Sequence, residues 1–188
     1  MNEIKTNDNL HIEGFFDEQT STISYVVHDN IEKKCAVIDS VLDFDYSSGD
    51  IDYLNADKII SYIDRNKLNV EWLIETHVHA DHLSASPYIQ KKLGGKIGIS
   101  EKISDIQNIF GKTFNAGTEF QRDGSQFDKL FKDNDEYKIG NINCKVINTP
   151  GHTPACTAHV IENSIFVGDT LFMPDLGSAR ADFPGGDA

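Results

Sequence analysis

The sequence predicts a single α/β domain over residues 1–188. Short segments rich in β-branched and aromatic residues, separated by polar turns, occupy residues 11–39 and indicate an antiparallel meander. Strands and amphipathic helices then alternate over residues 52–110, which is the pattern of an α/β architecture. A second set of strands follows over residues 137–167. The chain is long enough to bury a hydrophobic core, and no repeat or linker divides it.

Residue periodicity places the individual elements. Helices are predicted where apolar residues recur every three to four positions, at residues 52–68, 86–93 and 101–110. Strands are predicted at residues 11–16, 23–28, 35–39, 70–75, 96–99, 137–139, 143–148, 155–161 and 164–167. Residues 43–52 are polar and predict a loop. Residues 111–131 hold four phenylalanines in an irregular pattern, which favours a loop pinned to the core over a cover for a site.

The charge and the cysteines restrict the class of protein. Acidic residues outnumber basic ones 30 to 17, so the formal net charge is −13, and neither a nucleic-acid nor a membrane partner is expected. The polar residues 1–10 do not resemble a signal peptide, and no segment reaches the roughly 20 apolar residues that cross a bilayer. Cys35, Cys144 and Cys156 have no paired spacing and are expected to be reduced thiols. A cytoplasmic protein is predicted.

The strongest functional pattern is THVHADH, residues 76–82, directly after a predicted strand. Neutral imidazole and carboxylate are the usual ligands of zinc, iron and manganese. His77 and His79 are two positions apart, so they point to the same side of an extended segment. Asp81 and His82 follow after the chain turns, which suits a second metal position or a base.

Two later segments also place a candidate ligand directly after a strand. His152 lies in the rigid turn TPGHTP, and Asp169 lies in GDT. Because sites in α/β sheets form outside the carboxyl ends of strands, both can converge with the first cluster on a metal. Asp169 could bridge two metals or complete a set of two histidines and one carboxylate. The other histidines are weaker candidates, since they lie on strands outside the motifs: His11, His28 and His159.

The three motifs THVHADH, PGHTPAC and GDTLF, in this order and spacing, resemble the metal motifs of the metallo-β-lactamase superfamily. Within it, the chain looks like the persulfide dioxygenase branch, because of ETH and ADH around His77, HTPAC from His152 and GSARADF from Gly177. The segment DGSQFDKLF, residues 123–131, is typical of the bacterial β-lactamase hydrolase-like proteins. The resemblance covers essentially the whole chain.

This resemblance implies an αββα sandwich, with two facing sheets and helices outside. It also implies one ferrous iron per chain, held by His77, His152 and Asp169, which is the ligand set of non-haem Fe(II) oxygenases. The remaining motif residues would then support that site or be vestigial: His79, Asp81 and His82. In the hydrolase branches the same residues bind two metals, and zinc is the alternative cofactor here. Asp81 and Asp169 are the candidate catalytic carboxylates.

The activity implied by the resemblance is oxidation of glutathione persulfide, or of a related thiol compound, by O₂ to sulfite. Arg180, in the SARADF motif, is expected to bind a glutathione carboxylate. One alternative is a zinc hydrolase that acts on a glutathione thioester or a β-lactam. A second alternative is an inactive remnant that binds metal.

The sequence departs from the family pattern at its end. The family continues beyond the position of Ala188 with a helix, a strand and a His-Asp pair, and no histidine follows Asp169 here. The sandwich is therefore expected to lack its last strand and helix. Any second metal site is expected to be incomplete, while the site of three ligands can still form. An exposed sheet edge makes a homodimer possible.

Overall fold

The computed structural model describes residues 9–178 and residue 181. Its strands are β1 (Leu10–Asp17), β2 (Thr22–Asp29), β3 (Lys34–Ile38), β4 (Val41–Phe44), β5 (Ile51–Asp52), β6 (Asn69–Ile74), β7 (Leu83–Ser84), β8 (Lys96–Ser100), β9 (Lys129–Phe131), β10 (Glu136–Ile139), β11 (Ile142–Asn148), β12 (Thr157–Ile161) and β13 (Ser164–Phe166). Its helices are α1 (Leu54–Arg65), α2 (Ser86–Leu93) and α3 (Ile103–Thr113), and a 3₁₀ turn covers Gly168–Thr170.

The strands form two large sheets and one small sheet. The six-stranded sheet has the order β1-β2-β3-β6-β8-β9, in which β1, β2 and β3 pair antiparallel and β3, β6, β8 and β9 run parallel to one another. The four-stranded sheet, β10-β11-β12-β13, is antiparallel throughout. The small sheet has the order β5-β4-β7. Because β3 and β6 are parallel neighbours, their carboxyl ends lie at the same edge, and the metal motif begins there.

The main core lies between the two large sheets. Its buried side chains come from both of them: Val27, Ala36, Ile38, Ile74, Phe131, Tyr137, Ile139, Ile142, Cys144, Val146, Ile161 and Phe166. Each large aliphatic side chain buried in this way stabilises the fold by roughly 1.5–3 kcal/mol. Gly98 is required in β8, because a Cβ atom there would lie 2.5 Å from the ring of Phe131.

Two helices cover the opposite face of the six-stranded sheet. Ile59 and Ile63 of α1, together with Ile89 of α2, pack in one buried cluster with Val37 and Leu73 of the sheet. The described residues therefore form a layer of helices, then a sheet, then a second sheet. The predicted fold class, an α/β sandwich of this type, is confirmed.

The positions of most elements match the predictions, but the two expected loops both contain strands. Residues 43–52 contribute to the hairpin of β4 and β5, whose turn is closed by the Asp45 carboxylate accepting the N–H groups of Ser47 and Ser48 at 2.8 Å. Residues 111–131 end in β9, which pairs with β8 and places Phe131 fully buried in the core. Among the described residues no helix has both the length and the apolar character to cross a membrane.

Candidate metal centre

Three predicted ligands from distant parts of the chain meet at one edge of the sandwich. His77 follows β6, His152 follows β11, and Asp169 lies in the 3₁₀ turn after β13. One ligand atom of each lies within 4.8 Å of the others. The Asp169 Oδ2 atom is 3.8 Å from His77 Nε2 and 3.5 Å from His152 Nε2. This set is called the first position below. The strand-end argument predicted that the three segments meet, and the resemblance to the family implied these three residues.

The environment of His77 fixes which of its nitrogens can bind a metal. Thr76 Oγ1 donates its hydrogen to Asp39 Oδ2 at 2.8 Å, so it accepts the Nδ1–H of His77 at 3.1 Å. The Nε2 atom that faces Asp169 is then unprotonated. Burial, followed by the neighbouring His79, lowers the pKa of His77 to about 3, so the ring is neutral at pH 7. Metal ligation requires this neutral form.

The turn that carries Asp169 fits closely against the same threonine. Gly168 has a φ of +49°, and a Cβ atom at this position would collide with the side chain of Thr76. Burial raises the pKa of the Asp169 carboxyl above its usual value. Glycine thus permits the close approach that brings the Asp169 carboxylate to the two histidines.

A second group of three donors lies beside the first and is called the second position. One ligand atom each of His79, Asp81 and His82 lies within 4.8 Å of the others. His82 Nδ1 donates to the Leu83 carbonyl at 3.0 Å, so its Nε2 atom carries a lone pair. That Nε2 atom is buried and has no hydrogen-bond partner. A buried acceptor of this kind fits a metal ligand, because a divalent ion would satisfy it.

Two carboxylates hold His79 from the side of its Nε2 atom. Asp39 Oδ1 is 3.2 Å away and Glu75 Oε2 is 3.3 Å away. Burial alone would lower the pKa of His79, but the two carboxylates outweigh burial and raise the pKa well above its usual value. Because Nε2 faces these carboxylates, Nδ1 is the nitrogen that can bind a metal, once it has released its proton.

Sequence reasoning missed both of these carboxylates as parts of the site. Asp39 directly follows β3, which is the parallel neighbour of β6, so the strand-end argument used for the histidines could have found it. Glu75 was noted only as part of a motif. Its partners, the hydroxyls of Ser84 and Ser86, come from beyond a turn, and no spacing rule identifies them.

The other candidate residues lie elsewhere or outside the described residues. His159 is fully buried in the core, where its Nδ1 accepts from Tyr137 Oη at 3.0 Å. His11 and His28 contact each other across β1 and β2, with ring centres 4.8 Å apart. Arg180 lies outside the described residues.

A cleft of about 250 Å³ opens beside the second position. Phe44, Tyr46 and Leu83 form apolar parts of its wall, and the carboxylates of Asp17 and Asp43 also line it. Tyr46 Oη donates to the Asp81 carbonyl at 2.8 Å, so the β4–β5 hairpin is tied to the metal motif. None of the lining residues within the described part of the chain is lysine or arginine. The cleft can therefore take the organic part of a small substrate.

The family profile of the metallo-beta-lactamase superfamily matches residues 18–188. The chain belongs to this superfamily. A protein named probable metallo-hydrolase, from Burkholderia pseudomallei, is 50% identical over 189 residues, which cover 95% of this chain and 64% of the relative. The beta-lactamase hydrolase-like protein of Agrobacterium fabrum is 47% identical over 178 residues, which cover 95% of this chain and 41% of the relative. The resemblance seen in the motifs is thus confirmed.

More distant relatives carry the name persulfide dioxygenase. The mitochondrial persulfide dioxygenase ETHE1 of Homo sapiens is 25% identical over 175 residues, covering 92% of this chain and 56% of that protein. The crystal structure of ETHE1 from Myxococcus xanthus matches the fold with a TM-score of 0.72 at 23% identity, covering 94% of this chain and 64% of that one. The chain spans less than two thirds of the length of these relatives. Members of the superfamily bind metal ions, and the donors present here fit one.

Proposed function

We propose that this domain is a metal-dependent enzyme that oxidises glutathione persulfide, or a related small persulfide, with O₂ to sulfite. The first position carries the proposal: two imidazoles and one carboxylate, with ligand atoms within 4.8 Å of one another, form the donor set of non-haem Fe(II) oxygenases. One ferrous iron per chain at this position is the cofactor proposed. The relatives named persulfide dioxygenase support the same reaction, although they are only 25% identical.

Ferrous iron, when bound, supplies the O₂ chemistry, which no protein side chain can supply. His77 is almost completely buried and locked by Thr76, so its Nε2 atom needs no reorientation to act as a ligand. In the overall reaction, one persulfide, one O₂ and one water give one thiol, one sulfite and two protons. The terminal sulfur is oxidised and O₂ is reduced. Asp81, at the wall of the cleft, is placed to accept a proton that is released.

The cleft supports a small substrate that carries an amino group. Asp17 and Asp43 present carboxylates there, and Asn55 donates to both of them at 2.7 Å. The ammonium group of a glutathione compound would meet favourable charge on this side. Its carboxylates require a cation, and Arg180 is the proposed partner for one of them.

A zinc hydrolase that acts on a glutathione thioester or a β-lactam is the second candidate function. The buried, unpartnered Nε2 atom of His82 favours it, because the second position then offers three donors for another ion. Two zinc ions, when bound, would supply a hydroxide nucleophile at neutral pH. The relatives named metallo-hydrolase and beta-lactamase hydrolase-like protein support this candidate.

Metal content, measured together with O₂ consumption on glutathione persulfide, tests the proposal. We expect iron in the purified protein and O₂ uptake that yields sulfite, and His152→Ala should abolish both. The matched control is His11→Ala, since His11 lies on β1 away from the site. If the purified protein contains zinc and hydrolyses a thioester or a β-lactam, the proposed dioxygenase activity is refuted and the hydrolase is supported. Neither activity with either metal would indicate an inactive metal-binding remnant. Unchanged turnover of His152→Ala would refute the site itself.

A further inference from the structure

The two turns that carry His152 and Asp169 are joined by a pair of hydroxyl groups. Thr149 Oγ1 lies 2.8 Å from Thr170 Oγ1, so one hydroxyl donates a hydrogen bond to the other. Thr149 lies three residues before His152, and Thr170 directly follows Asp169. The two threonines are 21 positions apart in the sequence, and the bond between them is partly buried. Neither threonine is a ligand of the first position, and the proposed reaction uses neither of them.

The backbone holds each of the two threonines within its own turn. The N–H group of Thr149 donates to the Cys156 carbonyl at 3.0 Å, which closes the base of the loop after β11. The N–H group of Thr170 donates to the Val167 carbonyl at 3.1 Å, which closes the 3₁₀ turn after β13. Because both backbones are held, the bond between the hydroxyls fixes the position of one ligand-bearing turn relative to the other.

The ligand atoms by themselves do not hold these turns together before an ion binds. Asp169 Oδ2 is 3.5 Å from His152 Nε2 and 3.8 Å from His77 Nε2. The Nε2 atom of His77 is unprotonated, because the ring donates its Nδ1–H to Thr76. A carboxylate oxygen and an unprotonated ring nitrogen are both acceptors, so this contact stabilises nothing until a cation lies between them. Other contacts must hold the Asp169 turn in the metal-free protein, and the hydroxyl pair is one of them.

We propose that Thr149 and Thr170 are positioning residues that hold His152 and Asp169 at ligand separation before the metal ion binds. Without the bond between the hydroxyls, the ion would have to draw the two turns together, and the loss of their freedom would offset part of its binding free energy. The effect on metal affinity is limited by the strength of one neutral hydrogen bond, which corresponds to roughly two- to tenfold. The inference rests on the first position of the proposed function, but not on which reaction is catalysed there.

Titration of the metal-free protein with Co²⁺, followed by calorimetry and by the visible absorption of bound cobalt, tests the proposal. The ion that is lost in His152→Ala identifies the first position. Thr170→Val keeps the shape of the side chain but removes the hydroxyl, so it should weaken this ion roughly two- to tenfold and change its absorption bands. Thr170→Ser, which keeps a hydroxyl, should recover most of the wild-type affinity. Thr113→Val is the matched control, since Thr113 is exposed at the end of α3.

A double-mutant cycle tests whether the two hydroxyls act as a pair. Thr149→Val should weaken the first ion by the same factor as Thr170→Val. The double variant should be no weaker than either single variant, because all three lose the same hydrogen bond. Losses that add in the double variant would overturn the proposal, since the two hydroxyls would then act separately.

The remaining outcomes separate the positioning role from the site itself. A wild-type protein that binds no ion would refute the first position and the proposal with it. Unchanged affinity and absorption bands in Thr170→Val would refute the positioning role alone, even if the free energy of unfolding of the metal-free protein falls. If circular dichroism shows Thr170→Val to be unfolded, Thr170→Ala is compared with Thr170→Ser. A weaker first ion in Thr170→Ala supports the proposal, and equal affinities refute it.

Discussion

Replacing His159 with glutamine should reduce the acid sensitivity of the metal-free domain. His159 is fully buried, its Nδ1 accepts from Tyr137 Oη at 3.0 Å, and its Nε2 lies 3.3 Å from Thr157 Oγ1. Burial lowers its pKa from 6.5 to about 4. Because the folded state binds the proton more weakly than the unfolded state, protons favour unfolding. The stability that neutral His159 contributes is fully present above pH 6.5 and is lost as the pH falls towards 4.

The expected loss of unfolding free energy at low pH follows from the lowered pKa of His159. A single histidine whose folded pKa is depressed costs about 1.4 kcal/mol per pH unit, which is about 2 kcal/mol between pH 6.5 and pH 5. Urea denaturation of the chelator-treated protein at several pH values measures it. His28 and His77 also have pKa values lowered by burial, to about 4 and about 3, so the wild-type protein loses more than His159 alone contributes. The difference between wild type and His159→Gln isolates the single residue.

Glutamine can still hydrogen-bond at this position, but it does not titrate. His11→Gln is the control, because the side chain of His11 is 47% exposed. Parallel curves of unfolding free energy against pH for the wild type and His159→Gln would refute the reasoning. Loss of bound metal in His159→Gln would contradict its assignment as a structural histidine.

Two further predictions concern stability and substrate binding. Asp29 is fully buried and accepts backbone N–H groups from its own turn and from Asn141. Asp29→Ala should therefore lower the free energy of unfolding, measured in urea at pH 7, by about 2–3 kcal/mol. The exposed control Asp105→Ala should have little effect. Arg180→Ala should raise the KM for glutathione persulfide roughly tenfold with little change in kcat, because uniform binding is removed. A KM equal to that of the control Arg65→Ala would remove Arg180 from the substrate site.

The first position could be predicted because its residues obey a rule that acts along the chain. His77, His152 and Asp169 each lie three or four residues beyond the end of a strand, and strands of packed sheets bring their ends to common edges. The sequence predicted that Asp81 and His82 lie apart from His77, but it placed His79 on the same side as His77. The grouping of His79 with Asp81 and His82 could not be predicted. It depends on the turn after His79 and on the carbonyl of Leu83, which orients His82.

The two segments that were expected to be loops show a different limit of prediction from sequence. The polar residues 43–52 and the irregular residues 111–131 have little strand character of their own. Strand β4 forms through pairing with β5 and β7, and β9 forms through pairing with β8. Partners far away in sequence supply the hydrogen bonds of these short strands, so local propensity does not reveal them.

The sequence by itself determined the superfamily, the α/β sandwich and the three candidate donors that meet at the first position, because these depend on residue type, motif and order along the strands. Only the tertiary structure decided that Asp39 and Glu75 hold His79, and that His82 presents a buried, unpartnered nitrogen. The physical reason is that a hydrogen bond depends on direction and on separations of about 3 Å, which are set by packing between distant segments.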